Sequence, residues 1–201
     1  MNPLRALSKR ARFRRQFAEF KALETQRTQG AKERLTVEWS DRWPCLDEET
    51  GQTSFDRHYV YHTAWAARVL AATKPTRHTD ISSCLRFVTI ASAFVPVDFY
   101  DFRPAAIELS GLNCNRADVT KLDFSTGSMK SLSCMHVVEH IGLGRYGDPL
   151  DPDGDIKAMA ELERVLAPGG NLLFVVPTGK PRVQFNAHRV YAYRQDRKST
   201  R

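Results

Sequence analysis

Residues 161–177 are Glu-Leu-Glu-Arg-Val-Leu-Ala-Pro-Gly-Gly-Asn-Leu-Leu-Phe-Val-Val-Pro, and this stretch decides the fold class. Apolar side chains at helical spacing predict a helix over 156–166, with Asp153 or Asp155 available as its N-cap. The Pro-Gly-Gly triplet ends that helix. The apolar run that follows, residues 172–176, is typical of a parallel strand covered on both faces.

The same alternation of strand and helix runs back to about residue 78. Predicted strands cover His78–Ile81, Val97–Tyr100, a short extended segment at Asp118-Val119, and Leu132–Val138. Predicted helices cover residues 57–72, about ten residues up to Phe94, and, weakly, residues 105–109. This pattern predicts an α/β domain, a Rossmann-like and mostly parallel sheet flanked by helices. Ligands of such sheets bind outside the carboxyl ends of the strands, so the residues just after each strand are the candidate site.

Polar groups follow four of these strands. They are Asp80 with Ser82 and Ser83, Asp101 with Arg103, Asp118 with Val119, and His136 with Glu139 and His140. Asp101 lies 21 residues after Asp80, which matches the spacing of a carboxylate that binds ribose hydroxyls in nucleotide folds. The turn after Asp80 has no glycine, so spacing alone leaves both a nucleotide site and a plain structural loop open.

Three segments carry a resemblance to a known family. Val138-Glu139-His140, the segment Glu161 to Gly170 and the apolar strand Leu172 to Pro177 resemble the second half of class I S-adenosylmethionine-dependent methyltransferases. The stretches 136–148 and 185–189 are similar to a bacterial subgroup of methyltransferase-like domains of unassigned function. The resemblance covers about residues 55–193 and implies S-adenosylmethionine as the cofactor.

The resemblance also implies a role for each strand-end group. Asp80 and Ser82 would cradle the methionine end of the cofactor, and Asp101 would take its ribose hydroxyls. Asp118 and Val119 would flank the adenine, and His136 would face the methyl group. Ser83 and Arg103 lie next to these residues and complete the expected cofactor-binding set.

Two departures from the family pattern stand out. All three glycines expected after Asp80 are replaced. The chain also reaches residue 201 shortly after the 185–189 stretch, where the family fold continues through a last helix and strand pair. We therefore expect the C-terminal strands to be truncated, or to be supplied by a partner or by an oligomer.

Histidines supply the candidate bases for methyl transfer. A hydroxyl acceptor must lose its proton as the methyl arrives, and imidazole suits that task near neutral pH. The candidates are His136, His140 and His188, with Glu139 able to orient an imidazole. The alternative is that the Glu139-His140 pair only anchors the turn by hydrogen bonds. No metal is expected, since a turn and a helix N-cap explain the acidic loop 148–155.

Charge is distributed unevenly along the chain. Residues 1–35 hold ten basic and three acidic residues, and residues 182–201 hold six basic and one acidic, whereas the middle is acidic. The overall charge of +7 is therefore poor evidence for nucleic-acid binding. We predict a basic amphipathic helix within residues 1–35, a linker over 36–56, the methyltransferase-like domain over 57–193 and a basic tail over 194–201.

The N-terminal helix has two interpretations. Apolar residues across 4–23 either pack on the domain or lie on an anionic membrane surface. Four scattered cysteines and the lack of a signal or membrane-spanning segment predict a cytoplasmic protein, with peripheral membrane association as the second option.

Two hypotheses for function follow. The first is a methyltransferase that passes the methyl group of S-adenosylmethionine to an oxygen or nitrogen of a small-molecule or glycan-like acceptor. The second is a catalytically inactive domain of the same fold that serves binding or assembly, which the lost glycines favour.

Overall fold

A parallel sheet of five strands forms the centre of residues 56–193 in the computed structural model. The structure describes residues 3–28 and 35–193. The strands are β1 His78–Ile81, β2 Val97–Asp101, β3 Leu112–Arg116, β4 Met129–Met135 and β5 Leu166–Val175, in the order β3-β2-β1-β4-β5. All four pairings are parallel. The predicted α/β fold with a mostly parallel sheet is confirmed.

The strand order reverses direction between β1 and β4. The chain steps outward from β1 to β2 and β3, then crosses back to β4 on the other side of β1. Such a reversal leaves a crevice at the carboxyl ends of the two central strands. Within the described residues β5 is the last strand of this sheet. Arg182–Gln184 (β6) and His188–Val190 (β7) form a separate antiparallel pair.

Three helices cover the sheet, namely α2 Arg57–Thr73, α3 Leu85–Ala91 and α4 Gly154–Val165. The Asp56 carboxylate caps α2 by accepting from the backbone N–H groups of His58 and Tyr59. Asp153 occupies the N-cap position of α4, but its side chain makes no capping hydrogen bond. The prediction of a side-chain cap at that end is therefore wrong for Asp153, and Asp155 lies inside the first turn.

The core lies on both faces of the sheet because a strand's successive side chains point to opposite faces. On one face α2 and α3 pack against β2, with Leu70, Val88 and Phe99 among the buried side chains. On the other face α4 packs on β4, with Leu132 and Leu162 fully buried. The alternation places Asp80 on the first face and Ile81 on the second.

Three element predictions need correction. Residues 105–109 form no helix. The third strand is Leu112–Arg116, and Asp118-Val119 follows it in a turn rather than forming it. The fourth strand ends at Met135, so His136 to His140 leave the sheet, and Val138–His140 form a short 3-10 helix.

The described residues up to Phe55 form a compact unit of their own. Its helix α1, Pro3–Thr28, packs Phe13 and Phe17 against the ring of Trp39. The predicted linker is therefore in contact with the helix, and it also supplies Asp47 as an ion-pair partner for Lys9.

Other apolar side chains of α1 are exposed, among them Leu7, Phe20 and Leu23. Membrane contact through residues 4–23 stays a prediction. No helix in residues 3–28 or 35–193 combines the length and apolar character needed to cross a bilayer. The predicted basic tail, 194–201, lies outside the described residues.

Candidate functional site

A cavity of about 340 Å³ opens at the carboxyl ends of the central strands. One wall comes from the segments that follow β1, β2 and β3, and it includes Ser82, Asp101, Arg103, Asp118 and Val119. The opposite wall comes from the segment after β4, and it includes His136, His140, Ile141, Gly142, Tyr146 and Asp148. The fold thus brings together residues from four strand ends that sequence spacing had singled out.

Asp80 and Ser83 lie behind the first wall. Asp80 is fully buried, and its Oδ1 accepts from the Ser83 backbone N–H at 2.9 Å. The Ser83 hydroxyl in turn accepts from the Met135 N–H at 2.9 Å, which ties the turn after β1 to β4. These two predicted cofactor residues therefore shape the loop from behind.

Ser82 takes the backbone conformation that glycine favours. Its φ is 56°, in the left-handed region, and its hydroxyl donates to the Tyr100 carbonyl at 3.2 Å. The turn after β1 thus takes a backbone conformation that glycine adopts most easily, with the Ser82 hydroxyl directed toward β2.

A buried chain of hydrogen bonds runs behind this turn. The Ser133 hydroxyl donates to Asp80 Oδ2, so its oxygen is left to accept from His78 Nε2 at 2.8 Å. His78 Nδ1 then accepts from the Ser131 hydroxyl at 2.8 Å. Burial lowers the pKa of His78 to about 4, and burial raises the pKa of Asp80 to about 6. No pattern in the sequence around His78 marks it as part of this series of hydrogen bonds, so it was not among the predicted site residues.

Asp101 ends strand β2 and Asp118 follows the neighbouring strand β3, and each carboxylate accepts from the backbone N–H two residues further along. Asp101 Oδ1 accepts from the Arg103 N–H at 2.7 Å, and Asp118 Oδ1 accepts from the Thr120 N–H at 2.9 Å. The Thr120 hydroxyl also donates to Asp118 Oδ1. Each carboxylate is thereby held in a tight turn at the cavity wall, where it can accept hydrogen bonds from a bound molecule.

His136 is clamped at the end of β4. Its φ is 58°, and its Nδ1 donates to Glu139 Oε1 at 2.9 Å. The first two turns of α2 pack on its imidazole, with ring centroids of His58 at 4.5 Å and His62 at 4.9 Å. Within residues 3–28 and 35–193, His62 Nε2, His136 Nε2 and Glu139 Oε2 are the buried side-chain atoms without a hydrogen-bond partner.

His140 presents the more accessible imidazole. Its Nδ1 lies 2.5 Å from the Ala187 carbonyl oxygen, which can only accept, so Nδ1 carries the proton and Nε2 the lone pair. Nε2 lies 4.0 Å from Glu139 Oε1, and the ring lines the cavity. His188 does not line the cavity, and its ring centroid is 6.2 Å from that of His140.

In the acidic loop 148–155, the carboxylates of Asp148 and Asp151 contact groups of the same domain. Asp148 accepts from the N–H groups of Gly142 at 2.7 Å and Tyr146 at 3.1 Å. Burial acts to raise the pKa of Asp148, but the backbone donors outweigh it and hold the pKa below its usual value. Asp151 pairs with Lys157. Across residues 3–28 and 35–193, no group of three or more His, Cys, Asp or Glu is arranged to hold a metal ion.

Comparison with known proteins addresses the fold. A family model described as "Caenorhabditis protein of unknown function, DUF268" matches residues 110–195, and no curated protein matches the chain. A candidate methyltransferase of Bacillus halodurans C-125 shares the fold at 17% identity with a TM-score of 0.50. The YcgJ protein of Bacillus subtilis does so at 14% identity with a TM-score of 0.52. A third match is the candidate methyltransferase in a complex with the Haloferax volcanii activator Trm112, at 16% identity with a TM-score of 0.50.

The chain thus shares its fold with these solved structures, two of which are candidate methyltransferases. The matches cover 68%, 70% and 72% of this chain, and 65%, 66% and 66% of the other three, so the chain spans just under two thirds of their length. The resemblance predicted from the sequence is confirmed for the fold. In this methyltransferase fold the cavity lies at the strand-order reversal, where ligands of open α/β sheets bind.

Proposed function

We propose that the chain is an S-adenosylmethionine-dependent methyltransferase that acts on a hydroxyl or amine of a small molecule. The observation that carries the proposal is the cavity itself, which gathers Asp101, Asp118 and His140 at the carboxyl ends of a methyltransferase-type sheet. Its size lies within the range of small-molecule sites.

The residues present fit the cofactor. Asp101 and Asp118 offer carboxylate oxygens for sugar hydroxyls and an exocyclic amine, and Val119 offers an apolar wall for a base. Ser82 has a φ of 56°, a conformation that glycine favours in loops where the backbone approaches a ligand closely. When bound, S-adenosylmethionine would supply an electrophilic methyl group on its sulfonium: the acceptor oxygen or nitrogen would bond to that methyl, the carbon–sulfur bond would break to leave S-adenosylhomocysteine, and the acceptor's proton would pass to a base.

His140 is the base that this geometry favours. The Ala187 carbonyl holds its proton on Nδ1, so Nε2 is free to take the proton from the acceptor. Glu139, whose Oε1 lies 4.0 Å from Nε2, stabilises the imidazolium that results. The same carboxylate oxygen binds His136 Nδ1 and is thereby fixed in place. His136 thus acts as a positioning residue, and His188 has no role in the transfer.

Calorimetric titration with S-adenosylmethionine and S-adenosylhomocysteine tests the cofactor step. We expect binding to the wild type and at least about tenfold weaker binding to Asp101→Asn, since a hydrogen bond to a charged group is lost. Asp98→Asn is the matched control, because Asp98 lies on the same strand but pairs with Arg77 outside the cavity. A folded wild type that binds neither ligand at millimolar concentration would refute the proposal and favour a binding or assembly module.

Transfer of a labelled methyl group to a panel of hydroxyl- and amine-bearing small molecules tests the base. His140→Gln should lower the rate constant by about 100-fold or more at unchanged S-adenosylhomocysteine affinity. His188→Gln, on the neighbouring hairpin, is the control and should keep full activity. Equal activity of the two variants would show that His140 is not the base.

A further inference from the structure

The hairpin β6–β7 contains residues 185–189, a stretch singled out in the sequence that the proposed chemistry does not use directly. None of the described hairpin residues lines the cavity. The hairpin nevertheless contacts both ends of the segment that forms the second cavity wall, and it does so through one buried side chain and one backbone carbonyl.

The buried side chain is Arg189. Its Nη1 donates to the Ile141 carbonyl at 2.6 Å, and its Nη2 donates to the Pro152 carbonyl at 3.1 Å. Its Nε lies 3.4 Å from Asp155 Oδ1, and Asp155 also accepts from the Tyr191 hydroxyl at 2.9 Å. A buried guanidinium is tolerated only where a counter-charge and acceptors surround it, and Arg189 has both.

The carbonyls that Arg189 binds are the two ends of the loop 141–152. The ends approach each other closely, since the Asp151 N–H donates to the Gly142 carbonyl at 3.0 Å. Between them, Gly142, Tyr146 and Asp148 line the cavity. Arg189 therefore holds the base of the loop that forms one wall of the site.

The backbone carbonyl is that of Ala187, in the turn of the hairpin. The turn is closed by a bond from the Ala187 N–H to the Gln184 carbonyl at 2.9 Å, with Asn186 at a φ of 60°. The Ala187 carbonyl accepts from His140 Nδ1 and from Arg145 Nη1. The hairpin thus fixes the imidazole tautomer as well as the loop.

We propose that the hairpin β6–β7 positions the methyltransferase site through two groups, the Arg189 side chain and the Ala187 carbonyl, and that Arg189 is the positioning residue. Arg189 holds the loop 141–152 in the conformation that completes the cavity, and the turn carbonyl orients His140. This inference rests on the proposed function for its effect on ligand affinity, whereas its effect on the loop is independent of any ligand.

Hydrogen exchange on the full chain tests the loop. Arg189→Gln and Arg189→Lys are compared with Arg182→Gln, a matched control whose side chain, within the described part of the chain, donates to the nearby Lys180 carbonyl. We expect exchange in residues 142–151 to speed up at least about tenfold in Arg189→Gln, while β1 and β4 keep their protection. Arg189→Lys should fall between, because it keeps the charge but loses the forked geometry.

Calorimetry with S-adenosylhomocysteine tests the consequence for the site. We expect affinity to fall about tenfold in Arg189→Gln and to stay within about twofold in Arg182→Gln. Unchanged loop exchange in Arg189→Gln would overturn the proposal, as would unfolding of both Arg189 variants, since Arg189 would then serve the whole fold. A wild type that binds no S-adenosylhomocysteine would refute the proposed function while the exchange result still decides the role of Arg189.

Discussion

The buried hydrogen bonds that link Ser131, His78, Ser133 and Asp80 lead to one prediction about stability. Substitution of His78 and of Asp80 should change the pH dependence of the free energy of unfolding in opposite directions. Burial lowers the pKa of His78 to about 4. The contribution of His78 to the free energy of unfolding is therefore complete above its ordinary pKa of 6.5 and is lost as the pH falls toward 4. Asp80 has its pKa raised to about 6 by burial, so its contribution is complete below its ordinary pKa of 3.8 and is lost as the pH rises through 6. Each shift corresponds to about 3 kcal/mol.

In the wild type the two contributions nearly cancel between pH 6 and pH 4, since the unfolded chain takes up a proton on the histidine and the folded chain takes one up on the carboxyl. Asp80→Asn removes the contribution of the carboxyl and leaves that of His78 uncompensated. Relative to wild type, its free energy of unfolding should fall by about 3 kcal/mol as the pH drops from 7 to 4. His78→Asn should show the opposite trend, a relative gain of about 3 kcal/mol over the same range.

Urea unfolding followed by circular dichroism between pH 7 and pH 4 measures these differences, and subtraction of the wild-type curve removes the contributions of other carboxylates. Asp80→Asn should also reverse the chain. The new amide donates to the Ser133 hydroxyl, Ser133 donates to His78 Nε2, and the histidine proton moves to Nδ1, which nitrogen NMR detects. Parallel pH curves for Asp80→Asn and wild type would refute this account.

Three further predictions concern the elements around the site. Gly142→Ala places a methyl group 2.0 Å from the Asp151 carbonyl oxygen and should lower the free energy of unfolding, measured in urea, by about 3 kcal/mol. Gly147→Ala is the control and should lower it by about 1 kcal/mol, because Gly147 has a similar φ but open space around it. Equal losses in the two variants would contradict the close contact. Arg164→Ala removes donors to the Leu122 and Phe124 carbonyls and the ion-pair partner that holds Glu161, whose Oε2 accepts from the Leu122 N–H, so we expect about tenfold faster amide exchange at Leu122. Unchanged exchange would show that Arg164 does not hold this segment. Asp56→Ala should lower the free energy of unfolding by about 1 kcal/mol while Asp56→Asn retains the cap, and a loss of the same size in both would argue against a capping role.

Much of the fold follows from patterns that are local in sequence. The helix that became α4 and the strand that became β5 are adjacent, have clear periodicity and are separated by a Pro-Gly-Gly triplet. Strand β3 was not predicted because it lies at the edge of the sheet and has a mostly polar sequence, Leu-Asn-Cys-Asn-Arg. Leu112 is its one buried residue. An edge strand with a solvated face lacks the apolar run that marks a central one.

The site was predictable where it depends on strand ends, and unpredictable where it depends on distant pairing. Asp101, Asp118 and His140 line the cavity as the strand-end rule predicts. The packing of His58 and His62 on His136 joins residues more than 70 positions apart, and no sequence signal marks it.

The dependence of the loop 141–152 on Arg189 bears on how the protein is made. Ile141 and Arg189 are separated by 48 residues, so the contact forms only after the five sheet strands have been synthesised. During translation from the N-terminus, the sheet can pair before its binding wall is fixed.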